Sequence, residues 1–440
     1  MTLHLIGQEL SQQLGAYCLD GSRPGYWYDP PTPRAAHAAS NRSWLVFLDG
    51  GAWCYDAQDC DSRSRGFRGS SRAFPARYWP YSGPLDKSVA VNPTFAGFHR
   101  VLLGYCDGSS FTGERVTPYA LGSGAVLHMR GRAVLHALLL HLMRAGMREA
   151  RQVLFSGGSA GGLGTVFAAN WLQAQLPAAK LKVLLVSSFF LHLPAGDAPT
   201  CTRGRGAQSK CLPWAVKMQQ MCALHNCTPT VRAAGVACDA AGAGAECLLP
   251  AASLRSVRPP TFVINSAIDS WQACREGEAR GGAVRRLMGV VRASSQLVNV
   301  WRRYYRCRYD GTPACSTQQV AHAVRETNGM IGRFVDAVHV SGATSRPGHG
   351  AFITSCNEHV AGVSADGFMH YSIDNQTLRD ALARWWASDS NSPASEHTRL
   401  PCTLTHKSSP DSPNHQCNPS CLRVKMKRRL NQECPCDPGK

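Results

Sequence analysis

The sequence predicts an α/β fold, a mainly parallel sheet flanked by helices, with a disulfide-rich insertion. Short apolar runs ending in glycine turns alternate with stretches of helical periodicity over about 250 residues. One stretch then breaks the alternation with alanine, glycine and closely spaced cysteines. A chain of 440 residues, 44% hydrophobic and only 17% charged, can bury a large core, which excludes a disordered protein.

The first strand is read at 44–48, where WLVFL runs into Asp49-Gly50-Gly51. An unbroken apolar run of that length, closed by glycine, fits a strand covered on both faces. Residues 101–105 (VLLGY) repeat the design before Cys106-Asp107-Gly108. Between 131 and 147, Val134, Leu135, Leu138, Leu139 and Leu142 fall at helical spacing, and the pattern stops near Gly146. A strand at 153–155 enters glycines, a helix follows over 163–176, and buried strands are expected at 181–186 and 261–265. The insertion occupies 194–250 and carries Cys201, Cys211, Cys222, Cys227, Cys238 and Cys247. The expected organisation is one domain over 14–388, with 194–250 inside it, and a Cys-rich basic tail over 389–440 that contains RVKMKRR at 423–429.

Lysine and arginine outnumber aspartate and glutamate by 47 to 29, a net charge of +18, so a long-range partner is a polyanion. Nucleic acid is not expected, because the basic residues are dispersed and no finger, helix-turn-helix or RNA-recognition signature is present. No run reaches the ~18 uninterrupted apolar residues of a membrane span. The 19 cysteines lack the paired Cys-x-x-Cys spacing of zinc knuckles. They point instead to disulfides and an extracellular compartment, with at least one thiol left free or paired between chains. Asn41, Asn226 and Asn375 open glycosylation triplets. Residues 1–10 lack the basic start and apolar stretch of a signal peptide, so secretion implies a start upstream of Met1.

The sharpest chemical signal is Ser156-Gly-Gly-Ser-Ala-Gly-Gly162, which holds Gly157-x-Ser159-x-Gly161 between the strand at 153–155 and a helical pattern. That is the context of a nucleophile elbow, in which a serine on a strained strand-to-helix turn stands clear of an α/β-hydrolase-like sheet. A phosphate loop is excluded because no Gly-Lys-Ser/Thr follows. Such a serine needs amide donors for the oxyanion. Ala160 supplies one, and the glycine turn after the first strand offers Gly51 and Ala52. The acid and base of this fold follow the serine in sequence. Asp269 sits just past the strand at 261–265, where open α/β sheets place their sites, whereas Asp197, Asp239 and Asp310 follow no strand. His349, His359 and His370 all lie late enough, and spacing does not choose among them.

Six blocks, in order, resemble the pectin acetylesterases of plants and their animal relatives, the Notum carboxylesterases. They are AYCLDGSRPGY at 16–26, WLVFLDGGAWC at 44–54, YCDGSSFTG at 105–113, the elbow at 156–162, INSAIDSWQ at 264–272 and FITSCNEH at 352–359. The resemblance implies a catalytic histidine three residues beyond a Ser-Cys pair, which selects His359 and leaves His349 in reserve. It likewise implies Ser159 as nucleophile, Asp269 as acid, and Gly51, Ala52 and Ala160 as oxyanion donors. Gly158 and Val360 stand where plant members carry cysteine, and 186–193 (VSSFFLHL) lacks both acids of the plant stretch.

The function implied is a serine carboxylic-ester hydrolase without cofactor or metal, acting as a secreted monomer of the cell wall. Its implied substrate is an acetylated acidic polysaccharide, pectin. Two alternatives remain at this level, a Notum-like carboxylesterase that deacylates a lipid-modified protein and a non-catalytic polysaccharide-binding wall protein.

Overall fold

The computed structural model describes residues 1–31, 42–191, 214–236, 245–267, 269, 271–272, 329, 331–356, 358–398 and 420. Among these, a nine-stranded sheet forms the centre. Its strands are β1 (Thr2–Leu5), β2 (Gly25–Asp29), β3 (Ser43–Leu48), β4 (His99–Leu103), β5 (Gln152–Gly158), β6 (Lys180–Val186), β7 (Thr261–Ser266), β8 (Gly350–Thr354) and β9 (Ser395–Thr398). The spatial order is β1-β2-β4-β3-β5-β6-β7-β8-β9. The pairs β1/β2 and β2/β4 are antiparallel, and every later neighbour is parallel.

Strict alternation of side chains sorts the apolar strands onto two faces. Trp44, Val46 and Leu48 of β3, Val153 and Phe155 of β5, and Val183 and Leu185 of β6 belong to one core. Leu45 and Phe47, Leu154, and Leu184 and Val186 belong to the other. Both faces are covered, so these strands read in sequence as unbroken apolar runs. Helix α1 (Ala57–Ser64) follows β3 in the chain. Helices α2 (Gly131–Arg144) and α3 (Ala160–Gln175) cover the first face through Val134, Leu135, Leu138, Leu163 and Val166. Helix α4 (Leu378–Ala387) covers the second with Leu378, Leu382, Trp385 and Trp386.

The strands read at 44–48, 153–155, 181–186 and 261–265 fall within β3, β5, β6 and β7. The strand expected at 101–105 lies two residues earlier, at His99–Leu103, and Gly104 just beyond it packs so closely on Phe74 that a Cβ there would come within 2.4 Å of that ring. The helix expected to 147 ends at Arg144, and Gly146, at φ 110°, turns the chain into a short 3-10 turn. The helix expected from 163 starts earlier, at Ala160. Strands β1, β2, β8 and β9 were not expected, and β1 and β9 carry the sheet beyond 14–388 at both ends. Of the insertion, the described residues include helices at Trp214–His225 and Thr228–Ala233.

Lysine at 182 lies on a buried face of β6, where an ammonium needs partners. Its Nζ donates to the carbonyls of Trp385 and Ser388 at 2.5 and 2.8 Å, and Nζ of Lys180 donates to Trp386 O at 2.9 Å. These carbonyls lie at the C-terminus of α4, where the helix leaves acceptors unpaired and favours positive charge. Disulfides Cys18–Cys106, Cys54–Cys60 and Cys222–Cys227 are formed, and Cys247 and Cys356 are also disulfide-bonded. The Asn226 and Asn375 side chains are exposed, and Asn41 lies outside the described residues.

Asp107, in the turn after β4, is fully buried. Burial pushes its pKa up to about 6, although Ser109 N and Oγ and Phe111 N all donate to Oδ2. A carboxyl raised in the folded state favours folding most below its unfolded pKa of 3.8 and loses that contribution as pH rises through about 6. The loss is on the order of 3 kcal/mol. Chemical unfolding followed from about pH 4 to pH 7 should therefore show a falling component that Asp107→Asn removes.

Candidate active site

Strands β3, β5, β7 and β8 run parallel, so their carboxyl ends open on one edge of the sheet, where open α/β sheets place their chemistry. Ser159 lies between the end of β5 and the start of α3 at φ 53° and ψ −128°. A non-glycine residue in that region is strained, and the strain persists only where the surroundings over-determine it. Here they do. The Ser159 amide donates to Val186 O of β6 at 2.9 Å, and Ser159 O accepts from Gly162 N at 3.0 Å.

Small residues are required where helix and strand close on the turn. A Cβ on Gly161 would lie 2.2 Å from Leu48 O and 2.4 Å from Asp49 O. A Cβ on Gly50 would lie 2.5 Å from Gly158 O and 2.9 Å from Ser159 Cβ. The glycine turn after β3 therefore rests directly on the elbow. Its base is fixed by Asp49, whose carboxylate accepts from Gly50 N at 2.8 Å and Tyr81 OH at 2.5 Å and pairs with Arg68 at 2.5 Å. Sequence reasoning did not single out Asp49, Arg68 or Tyr81; the available signal was an acid directly before a Gly-Gly turn.

His359 and Asp269 are brought together across 90 residues of sequence. Nδ1 of His359 lies 2.8 Å from Asp269 Oδ2 and 2.9 Å from Oδ1. An ionised carboxylate only accepts, so Nδ1 carries the proton and Nε2 is the nitrogen left for proton transfer. Asp269 is itself anchored, since Oδ1 accepts from the amides of Trp271 and Gln272 at 2.9 and 3.1 Å. The Gln272 side chain in turn bonds both backbone groups of Leu191. On the histidine side, Val360 N donates to Ser187 Oγ at 2.8 Å. Ser187 is one of the residues that depart from the plant stretch, and it holds the backbone beside His359.

The other histidines lie elsewhere. His349 precedes β8, at the opposite edge of the sheet from His359, and burial pushes its pKa down to about 4. His370 ends a short helix, with Nδ1 on Asp366 O. Asp197, Asp239 and Asp310 lie outside the described residues. Gly51 and Ala52 follow β3 beside the elbow, and Ala160 is the first residue of α3. Among the described residues, one group combines metal-ligand side chains, Cys54, Cys60 and His225. Both sulfurs are joined in a disulfide rather than available as thiolates, and His225 Nε2 packs at 3.4 and 3.5 Å from them. Burial lowers the His225 pKa to about 3, which keeps the ring neutral.

The family model described as Pectinacetylesterase matches residues 1–408. The chain belongs to the pectinacetylesterase family. Pectin acetylesterase 7 of Arabidopsis thaliana is 29% identical over 416 residues, which cover 93% of this chain and 90% of that protein. The palmitoleoyl-protein carboxylesterase NOTUM of Schmidtea mediterranea is 27% identical over 273 residues, 58% of this chain and 46% of its own. The solved structure of the Wnt deacylase Notum from Drosophila superposes with a TM-score of 0.65 at 19% identity, covering 96% of this chain and 99% of that one, which shows a shared fold. This family member is a carboxylic ester hydrolase.

Two substitutions test the geometry. With Asp269→Asn the imidazole loses its fixed tautomer, and kcat on a model acetyl ester should fall by about 10⁴-fold. With Gly50→Ala the added Cβ pushes the turn off the elbow, and kcat should fall by about 10²-fold while acetate product still binds.

Proposed function

We propose that this chain removes O-acetyl groups from pectin, outside the cell and in the cell wall, through an acyl-enzyme on Ser159. The observation that carries the substrate class is the reach of the match. The plant pectin acetylesterase aligns with 93% of the chain, against 58% for the NOTUM carboxylesterase. The net charge of +18 complements a chain of galacturonate carboxylates. No helix among the described residues is long and apolar enough to cross a membrane.

His359 Nε2 takes the Ser159 proton as Oγ attacks the acetyl carbonyl, and Asp269 stabilises the imidazolium that forms. The amides of Gly51, Ala52 and Ala160 hold the tetrahedral alkoxide, helped by the positive end of α3. Collapse of the intermediate expels the sugar hydroxyl, which takes the proton from His359. Water then attacks the acetyl-serine with the same imidazole as base; collapse of this second intermediate breaks the Oγ–acyl bond, Ser159 Oγ takes its proton back from His359, and acetate leaves. The residues 194–250 are read as an insertion on this single esterase unit, and 389–440 as a basic tail that joins the sheet through β9.

Purified protein should be incubated with acetylated pectin, acetylated xylan and a fatty-acylated peptide, with acid release measured from each. Acetate release fastest from pectin, and absent with Ser159→Ala, is expected. Release of fatty acid from the peptide alone would move the assignment to a protein deacylase, and turnover unchanged in Ser159→Ala would remove the nucleophile.

A further inference from the structure

The turn that follows β3 is held through its carbonyls. Arg63, in α1, donates from Nη1 to Gly51 O at 2.7 Å and from Nη2 to Trp53 O at 3.2 Å. Tyr105, just past β4, donates its hydroxyl to Ala52 O at 2.7 Å. Three successive carbonyls are thus claimed by two side chains. In a planar trans peptide the C=O of one residue and the N–H of the next point in opposite directions. Arg63 at Gly51 O therefore dictates where the Ala52 amide points, and Tyr105 at Ala52 O does the same for the Trp53 amide. The amides of Gly51 and Ala52 have no hydrogen-bond partner among the described residues. They lie next to Gly50, where a Cβ would be 3.3 Å from Ala160 N.

We propose that Arg63, supported by Tyr105, is the positioning residue of the oxyanion hole, aiming the Ala52 amide at the reacting oxygen; this rests on the esterase reading of Gly51, Ala52 and Ala160. Three further observations support it. Ala52 has φ 56°, a left-handed conformation that an alanine adopts only when restrained. The Cys54–Cys60 disulfide ties the end of the turn to α1, the helix that carries Arg63. Tyr105 is fully buried and is itself fixed by a hydrogen bond from Ser110 N at 3.0 Å, while Trp53 Nε1 donates to Ser110 Oγ at 2.7 Å.

Arg63 also differs from Arg68, which spends its charge on Asp49. The bonds of Arg63 go to neutral carbonyls, so its positive charge stands behind the turn and favours an anion on the other side of it. A lysine would keep that charge but lose the fork that spans two carbonyls.

The test uses the full chain with 4-nitrophenyl acetate as substrate and an alkylboronic acid as the oxyanion mimic. In Arg63→Met, kcat should fall by about 10²-fold and boronate affinity by a similar factor, with KM moving less than about two-fold. Arg63→Lys should regain about ten-fold of the lost kcat, and Tyr105→Phe should lose about ten-fold. A folded Arg63→Met that keeps wild-type kcat and boronate affinity overturns the assignment, as does a loss carried wholly by KM. If Arg63→Met does not fold, an unchanged kcat in Tyr105→Phe overturns it equally. A wild-type chain inert toward the ester overturns the esterase function itself, whereas an active wild type with an unaffected Arg63→Met overturns the positioning alone.

Discussion

The close approach of two glycine turns governs the candidate site. The turn after β3 and the elbow after β5 touch backbone to backbone, near enough that a single methyl on Gly50 or Gly161 would overlap a neighbouring carbonyl. Strands β3 and β5 are direct neighbours, paired in register from Ser43↔Gln152 to Leu48↔Gly157, so their following turns emerge side by side. That contact sets the turn after β3 against Ser159 and Ala160, so two segments distant in sequence meet at one serine. It also demands rigidity, because a turn of small residues has no side chains with which to hold its own shape. The Asp49, Arg68 and Tyr81 network beneath the turn, and the side chains on its carbonyls, provide that rigidity from outside.

The acid and base arm is assembled on a different principle. Asp269 and His359 lie three and five residues beyond β7 and β8, also neighbours in the sheet; Asp269 accepts from the amides of Trp271 and Gln272, and the residue after His359 is held by Val360 N on Ser187 Oγ. Asp269 is thereby kept as an acceptor with its oxygens committed, and the imidazole is held in one tautomer before substrate arrives. Preorganisation of this kind removes reorientation from the reaction step.

Much of this was legible in the sequence because the central strands are buried on both faces. WLVFL and the other apolar runs stand out, and so does the glycine turn that follows β3. The candidate nucleophile, the candidate acid and the candidate oxyanion amides follow from residue chemistry alone. The candidate histidine does not, since His349 and His359 flank opposite ends of β8 while His370 ends a short helix, and that depends on where β8 lies. Its sequence, GAFIT, opens on Gly-Ala and so is too weakly apolar to announce a strand. Strand β1 (TLHL) is mostly exposed, and β9 (SEHT) has no apolar run at all, so neither gives a hydrophobic signal. Arg63 and Tyr105 were invisible for another reason: their partners are backbone carbonyls, which leave no complementary residue in the sequence.

Strand β9 has a consequence that reaches beyond its four residues. Lys180 and Lys182 fasten the end of α4, and the chain then turns back so that Gly348 N meets Ser392 O and Ser395 pairs with Gly350. Without that return, β8 would be the last strand of the sheet among the described residues, with its outer row of amides and carbonyls open to pairing with another chain. Edge strands of that kind invite aggregation and register slips. A slip of one residue in β8 would displace the loop that carries His359. Among the described residues β9 takes that edge position itself, and so transfers the exposure to a segment that carries none of the candidate site residues.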